Sequence, residues 1–162
     1  MERIISSLCY IVKDGKVLML YRNKKENDIN QGKWIGVGGH FEPGESPEEC
    51  VDREVLEETG LILEEKKYRG FISFSTEKNE YEYISLFTAT KFHGNMIPCD
   101  EGQLKWIAIE DIMDLNLWEG DRIFLRLLQE RDDFFSLKLA YDKDHLVQAI
   151  LDGEKDLLSP EF

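Results

Sequence analysis

Glu54, Glu57 and Glu58 are spaced i, i+3 and i+4, so on a helix their carboxylates share one face. Like charges on adjacent turns repel, and acids late in a helix oppose its dipole, so local stability alone would not select this pattern. A divalent cation reverses the sign of that interaction. Mg²⁺ takes hard oxygen ligands, keeps several of its waters and typically combines a few carboxylates with substrate phosphates. The competing reading is an acidic helix face held in water.

The helix that must present these acids is legible from its ends. Ser46 is a good N-cap, Pro47 sits where its missing N–H costs nothing, and Glu49 completes an S-x-x-E capping box. Gly60 falls where a left-handed C-cap residue is expected, so the helix is predicted over 47–59. Val51 and Val55 lie together on another face, so one side packs and one is anionic.

The stretch GHFEPGESPEECVDREVLEETGL, Gly39 to Leu61, resembles the Nudix box G-x5-E-x7-R-E-U-x-E-E-x-G-U at every defined position: Gly39, Glu45, Arg53, Glu54, Val55, Glu57, Glu58, Gly60 and Leu61. The resemblance implies that Glu54, Glu57 and Glu58 bind Mg²⁺ or Mn²⁺, with the Gly39 carbonyl assisting. It also implies that Arg53 pairs with Glu45, holding loop to helix. The family cleaves a nucleoside diphosphate linked to another moiety by water attack on phosphorus, a task that suits a metal, which neutralises pyrophosphate and lowers the pKa of bound water.

Outside the box, GKWIGVGG at Gly32–Gly39, CDEGQLKW at Cys99–Trp106 and LWEGD at Leu117–Asp121 are similar to the MutT-like subgroup that hydrolyses oxidised purine nucleoside triphosphates, the 8-oxo-dGTP diphosphatases. That similarity implies a metal-binding or water-activating role for Glu101, whose bland alternative is a turn carboxylate. Trp118 offers an aromatic face for a purine, or packs at a helix entry. Asp121 could hydrogen-bond the purine edge, or simply complement a helix dipole. Phe74 is a candidate for the pocket wall, although alternating aromatics in a strand are usually core. Arg22, at a strand end, is expected to reach phosphates. The chain departs from the subgroup where Ile35 replaces an asparagine and where Gly120 and Asp121 replace two adjacent base-contacting aspartates.

Composition suits a compact enzyme. The chain of 162 residues is 42% apolar, with 9 Phe, 6 Tyr and 3 Trp, enough for one core and one domain over residues 1–155, with 156–162 expected to fray. The net charge of −13 argues against a nucleic acid polymer or an anionic membrane as partner. It also repels free nucleotides, so a small-molecule nucleotide substrate needs metal and local bases such as Arg22, Lys24, Lys25 and Lys33. Cys9, Cys50 and Cys99 form no C-x-x-C pair and suggest a reduced, cytoplasmic protein. No segment reads as a signal peptide or membrane span. His40, His93 and His145 are dispersed, against a histidine metal site. The oligomeric state is left open, with a monomer as the working expectation.

Strands are expected over 4–12 and 17–22, joined at Asp14-Gly15, then over 34–38, 68–75, 81–92, 104–109, 135–141 and 146–151, with a second helix over 120–131. This is an α+β pattern, and the resemblance sharpens it to the Nudix α/β/α sandwich with a mixed central β-sheet. The expected activity is a Mg²⁺-dependent nucleoside triphosphate pyrophosphohydrolase. A Nudix hydrolase of a nucleotide sugar or dinucleotide, and a non-catalytic nucleotide-sensing domain, stand as alternatives.

Overall fold

The computed structural model describes residues 3–159. Arg3–Lys13 (β1) and Lys16–Arg22 (β2) form the first hairpin. Its turn residues Asp14 and Gly15 have φ of 52° and 75°, the left-handed values that an Asp-Gly pair supplies in a two-residue turn. The strand expected over 34–38 is divided: Trp34–Ile35 (β3) pairs with β2, and Val37–His40 (β4) pairs with β1. Gly36 carries the chain from one partner to the other.

Helix α1, Pro47–Thr59, has the predicted limits. The Glu49 N–H donates to Ser46 Oγ and the Ser46 N–H to Glu49 Oε1, both at 3.0 Å, and the helix ends at Gly60 with φ 78°. The N-cap is worth about 1 kcal/mol. Val51 and Val55 are fully buried, each contributing roughly 2 kcal/mol, while each like-charged pair on the outer face costs only about 0.2–0.5 kcal/mol. Packing and capping therefore hold the acidic face in place.

Ile62–Thr76 (β5) and Tyr81–His93 (β6) make the second hairpin. β5 starts earlier than the expected residue 68. Its charged first half pairs with β6 on one side only, because pairing with the later strand Phe135–Asp142 starts at Gly70, and a strand edge tolerates charge. Gly102–Ala108 (β7) follows and pairs with β2. An unanticipated 3₁₀ helix, Ile109–Asp114, and α2, Glu119–Glu130, lead to Phe135–Asp142 (β8), His145–Leu151 (β9) and Lys155–Asp156 (β10). The expected frayed tail needs correction at its start: Asp156 pairs with Ile150, and the Leu157 N–H donates to Ala149 O at 2.8 Å. Residues 160–162 of that tail lie outside the described residues.

The main sheet runs β10-β9-β8-β5-β6-β1, with β4 on the far side of β1, and β2 carries β3 and β7. Pairs β1/β6 and β5/β8 are parallel and the others antiparallel, so the sheet is mixed. Alternation along β1 divides the core. Cys9 and Ile11 join Val51, Val55, Phe87 and Leu61 under α1. Tyr10 joins Ile72, Leu86, Phe124 and Leu137 under α2 on the opposite face. The result is the expected α/β/α sandwich. The three cysteines are free and buried, and desolvation raises each thiol, Cys9 to about 12, so none is prone to thiolate chemistry. No helix among the described residues is long and apolar enough to cross a membrane.

Candidate active site

Arg53 is the hinge of one end of the site. Its Nε and Nη2 donate to the two oxygens of Glu45 at 2.6 and 2.8 Å, and Nη2 also reaches His40 O at 2.9 Å. The Nη1 donates to Glu54 at 2.7 Å and to Glu57 at 3.2 Å. Glu45 is held down to about 2 by Arg53 first and by the Glu42 N–H second. The expected pairing of Arg53 with Glu45 is thus bidentate, and it fixes the loop after β4 against α1. A bidentate fork also sets the orientation of Arg53 itself.

The carboxylates divide. Glu54 lies against Gly39, where a Cβ would meet its carboxyl group and push it aside. Glu58 turns inward, with the Gly38 N–H at 3.4 Å from its Oε2. Desolvation pushes Glu58 up to about 8, aided by the charges of Glu101 and Glu54. Glu57 is more exposed and leans on Arg53. Glu54, Glu58 and Glu101 are therefore brought within electrostatic reach of one another from α1 and from the turn before β7, while Glu57 stands at the margin.

Arg22 is placed differently from the sequence expectation of a phosphate contact. Its side chain is only 9% exposed, with Nε 2.7 Å from Asp28 Oδ2 and Nη1 2.8 Å from Glu101 Oε2. The guanidinium is occupied in orienting Glu101, and Asp28 orients the guanidinium. Asp28 was not anticipated, because a lone acid in a polar loop gives no signal. Lys24 Nζ donates to Cys99 O at 3.2 Å, and Lys25 Nζ is 3.9 Å from Glu101. Beside them runs an open groove of about 470 Å³ lined by Lys24, Ile97, Pro98, Cys99, Leu104 and Lys105.

Among the described residues no group of three or more acidic, histidine or cysteine side chains stands close enough to hold a metal ion as it is. Arg53 draws on Glu54 and Glu57, and Arg22 draws on Glu101. The donor set still fits a hard divalent cation: carboxylates of Glu54, Glu58 and Glu101 with opposed charges, beside a glycine whose missing side chain opens the loop. Glu58, buried among acids, is the group whose electrostatics call most directly for positive charge.

A second cluster lies on the α2 side of the sheet. Trp118 stands at the N-cap position of α2 without a side-chain capping bond, donates from Nε1 to Asn30 Oδ1 at 2.8 Å, and meets Tyr141 edge-on with ring centroids 5.7 Å apart. Lys33 Nζ lies 4.8 Å over the Trp118 ring and bonds Asn116 Oδ1 at 3.2 Å. Phe74 packs on Tyr141 at 5.1 Å. Asp121, in the first turn of α2, is pushed up to about 7 by desolvation, with Glu82 adding to the rise and Lys33 opposing it. The structure thus gathers Phe74, Trp118 and Asp121 around Tyr141 and joins loop 23–33 to the entrance of α2. Ser6, Asn30, Glu82 and Tyr141 escaped the sequence reading, since their proximity depends on strand register and loop docking.

A family model described as the NUDIX domain matches residues 3–128. The chain belongs to the Nudix family of hydrolases. An oxidized purine nucleoside triphosphate hydrolase of Danio rerio is 29% identical over 152 residues, 93% of this chain and 96% of that one. The NAD-capped RNA hydrolase NudC of Pseudomonas syringae pv. syringae is 37% identical over 115 residues, 70% of this chain and 39% of that one. Among solved structures, a MutT protein from Bacillus halodurans superposes with a TM-score of 0.83 at 26% identity, covering 94% of this chain and 99% of that one.

Proposed function

We propose that this Nudix hydrolase is a Mg²⁺-dependent pyrophosphohydrolase of purine nucleoside triphosphates, with 8-oxo-dGTP as leading substrate, nucleoside monophosphate and pyrophosphate as products, and removal of oxidised nucleotides as its role. The observation that carries this reading is the pairing of an acidic cluster at Glu54, Glu58 and Glu101 with a separate aromatic and acidic cluster at Phe74, Trp118 and Asp121. The first suits phosphates and the second suits a base. The similarity to an oxidised purine nucleoside triphosphate hydrolase over nearly the whole of both chains supports it.

Glu54, Glu58, Glu101 and the Gly39 carbonyl would hold the cation, with Glu57 at its edge. When bound, Mg²⁺, or Mn²⁺ in its place, would neutralise the phosphates and lower the pKa of a bound water. Arg53 fixes the loop and helix that present these ligands. Glu101, oriented by Arg22, would bind the cation or accept a proton from the attacking water. Trp118 offers a face to the purine and Asp121 a hydrogen bond to its edge. With net charge −13, a small nucleotide suits the site better than a nucleic acid polymer. Three free cysteines support a reducing, cytoplasmic setting.

The similarity to NudC, over 39% of that protein, favours a dinucleotide as the second substrate reading. A panel of oxidised and normal purine triphosphates, nucleotide sugars and dinucleotides, with both products identified, tests the choice. The proposal expects 8-oxo-dGTP to give the highest kcat/KM and to yield 8-oxo-dGMP with pyrophosphate. Preference for a sugar or dinucleotide substrate over every triphosphate would overturn it.

A further inference from the structure

The polar loop 23–33 buries an acid at its centre. Its ends are clasped: the Arg22 N–H donates to Lys33 O at 3.0 Å and the Gly32 N–H to Arg22 O at 2.8 Å, so the chain leaves β2 and returns to the same place, as a compact surface loop does. The Asp28 side chain is only 4% exposed. Its Oδ2 accepts from Arg22 Nε at 2.7 Å and its Oδ1 from the Asn30 N–H at 3.1 Å. Burying a carboxylate is costly unless it is paired and hydrogen-bonded, and here each oxygen has its own partner.

Those two partners lead to opposite ends of the site. On one leg of the loop, Arg22 Nη1 donates to Glu101 Oε2 at 2.8 Å, the Lys24 N–H to Glu101 O at 3.3 Å and Lys24 Nζ to Cys99 O at 3.2 Å. This leg holds both the carboxylate and the backbone of Glu101. On the other leg, Asn30 Oδ1 accepts from Trp118 Nε1 at 2.8 Å, and Gly32 O accepts from Asn116 Nδ2 at 2.8 Å. An indole has one N–H, so Asn30 takes all of Trp118's donor capacity. The residue that holds Glu101 and the residue that holds Trp118 are thus the two that Asp28 binds.

We propose that Asp28 is a positioning residue that couples the two ends of the site, setting Glu101 through Arg22 and the indole of Trp118 through Asn30. This deepens the proposed function and rests on the roles it gives Glu101 and Trp118. A guanidinium bonded only to Glu101 is free to turn about that contact. Held at Nε by Asp28 and at Nη1 by Glu101, its plane is fixed, and the carboxylate of Glu101 with it. Surface loops are ordinarily the mobile parts of a fold. With one oxygen on each leg, Asp28 makes this loop a brace, and a shift of either leg is passed to the other.

Asp28→Asn keeps the shape of the side chain and removes its charge, and two readouts follow it. In the metal-free protein, the Trp118 indole N–H signal, one of three in the ¹⁵N–¹H spectrum and identified by its loss in Trp118→Phe, should shift and exchange with solvent roughly tenfold faster. The Trp106 indole, stacked on Phe92, should stay as it is. In turnover of the preferred nucleotide, kcat should fall by about 10- to 100-fold, the scale for residues that orient ligands. In a Glu101→Gln background the same substitution should lower kcat by less than about threefold, because the two residues act in one chain. Arg22→Lys, which keeps a charge but cannot hold both acids in one plane, should give the same indole change and carries the test if Asp28→Asn does not fold. An unmoved Trp118 indole, or an undiminished kcat loss in the Glu101→Gln background, would overturn the coupling. The indole readout needs no nucleotide, so a preference for another substrate would defeat the proposed function and leave this result standing.

Discussion

The two ends of the site are built by opposite strategies. At the Nudix helix, Gly39, Glu45, Arg53, Glu54, Glu57 and Glu58 come from one short stretch of chain, and Arg53 ties them together through its fork to Glu45 and its second arm to Glu54. At the other end, Ser6, Asn30, Lys33, Phe74, Glu82, Trp118, Asp121 and Tyr141 arrive from separate strands, a loop and the start of α2. A local unit can keep one chemistry while a dispersed unit changes its contacts one strand at a time. Gly120 illustrates this: a side chain there would meet the ends of Leu139 and Tyr141, which come from a strand far along the chain.

The largest effect should come from the local unit. Glu58→Gln or Glu54→Gln keeps side-chain shape and removes ligand charge, and should lower kcat by roughly 10²-fold or more. Both should also shrink the rise in melting temperature that Mg²⁺ gives the wild type, since a ligand bound only to the folded state stabilises it. Full activity in both variants would break the assignment of this end to metal and phosphate. Arg53→Lys keeps a positive charge and loses the fork to Glu45, so steady-state kinetics should show a loss of about 10- to 100-fold, the scale for residues that orient ligands.

Arg22→Met separates the two accounts of that residue. It leaves Asp28, whose side chain is 4% exposed, without its cation, and should destabilise the protein by about 3 kcal/mol in urea unfolding. Because Glu101 loses its orienting partner, kcat should fall more than KM rises. A raised KM with kcat intact would restore the phosphate contact that sequence reasoning assigned to Arg22.

A smaller effect lies in the pH dependence of stability. The folded pKa of Asp121 is raised from 3.8 to about 7, so the folded state holds its proton more tightly than the unfolded one. Its contribution is fully present below the unfolded value and is lost as pH rises through about 7. Asp121→Asn should therefore flatten the fall in stability between pH 4 and 7, as measured by denaturant midpoints. An identical slope in the variant would show that Asp121 titrates normally.

The contrast between the ends also explains what could be read from sequence. Capping signals at Ser46, Pro47 and Gly60 are local, and α1 has the expected limits. Hairpin turns are local too, so β1/β2 and β5/β6 were legible. The placement of Arg22 depends on Asp28 and Glu101, the latter 79 residues away, and no local signal distinguishes a guanidinium reaching for phosphate from one bound to buried acids. Glu82 depends on pairing with β1 and β5 together. The start of β5 was missed because its charged residues look like loop until a one-sided strand edge makes room for them.

The most direct test of the division between the ends is kcat/KM for 8-oxo-dGTP and dGTP, measured side by side in the wild type, Glu58→Gln and Asp121→Ala. Glu58→Gln should lower both values together and leave their ratio within about twofold, because it removes a contributor common to both phosphate chains. Asp121→Ala should lower the value for 8-oxo-dGTP by the ~1–3 kcal/mol of an unpaired polar partner and affect dGTP less, so the ratio collapses. A ratio that shifts in Glu58→Gln, or equal losses on both nucleotides in Asp121→Ala, would contradict the account.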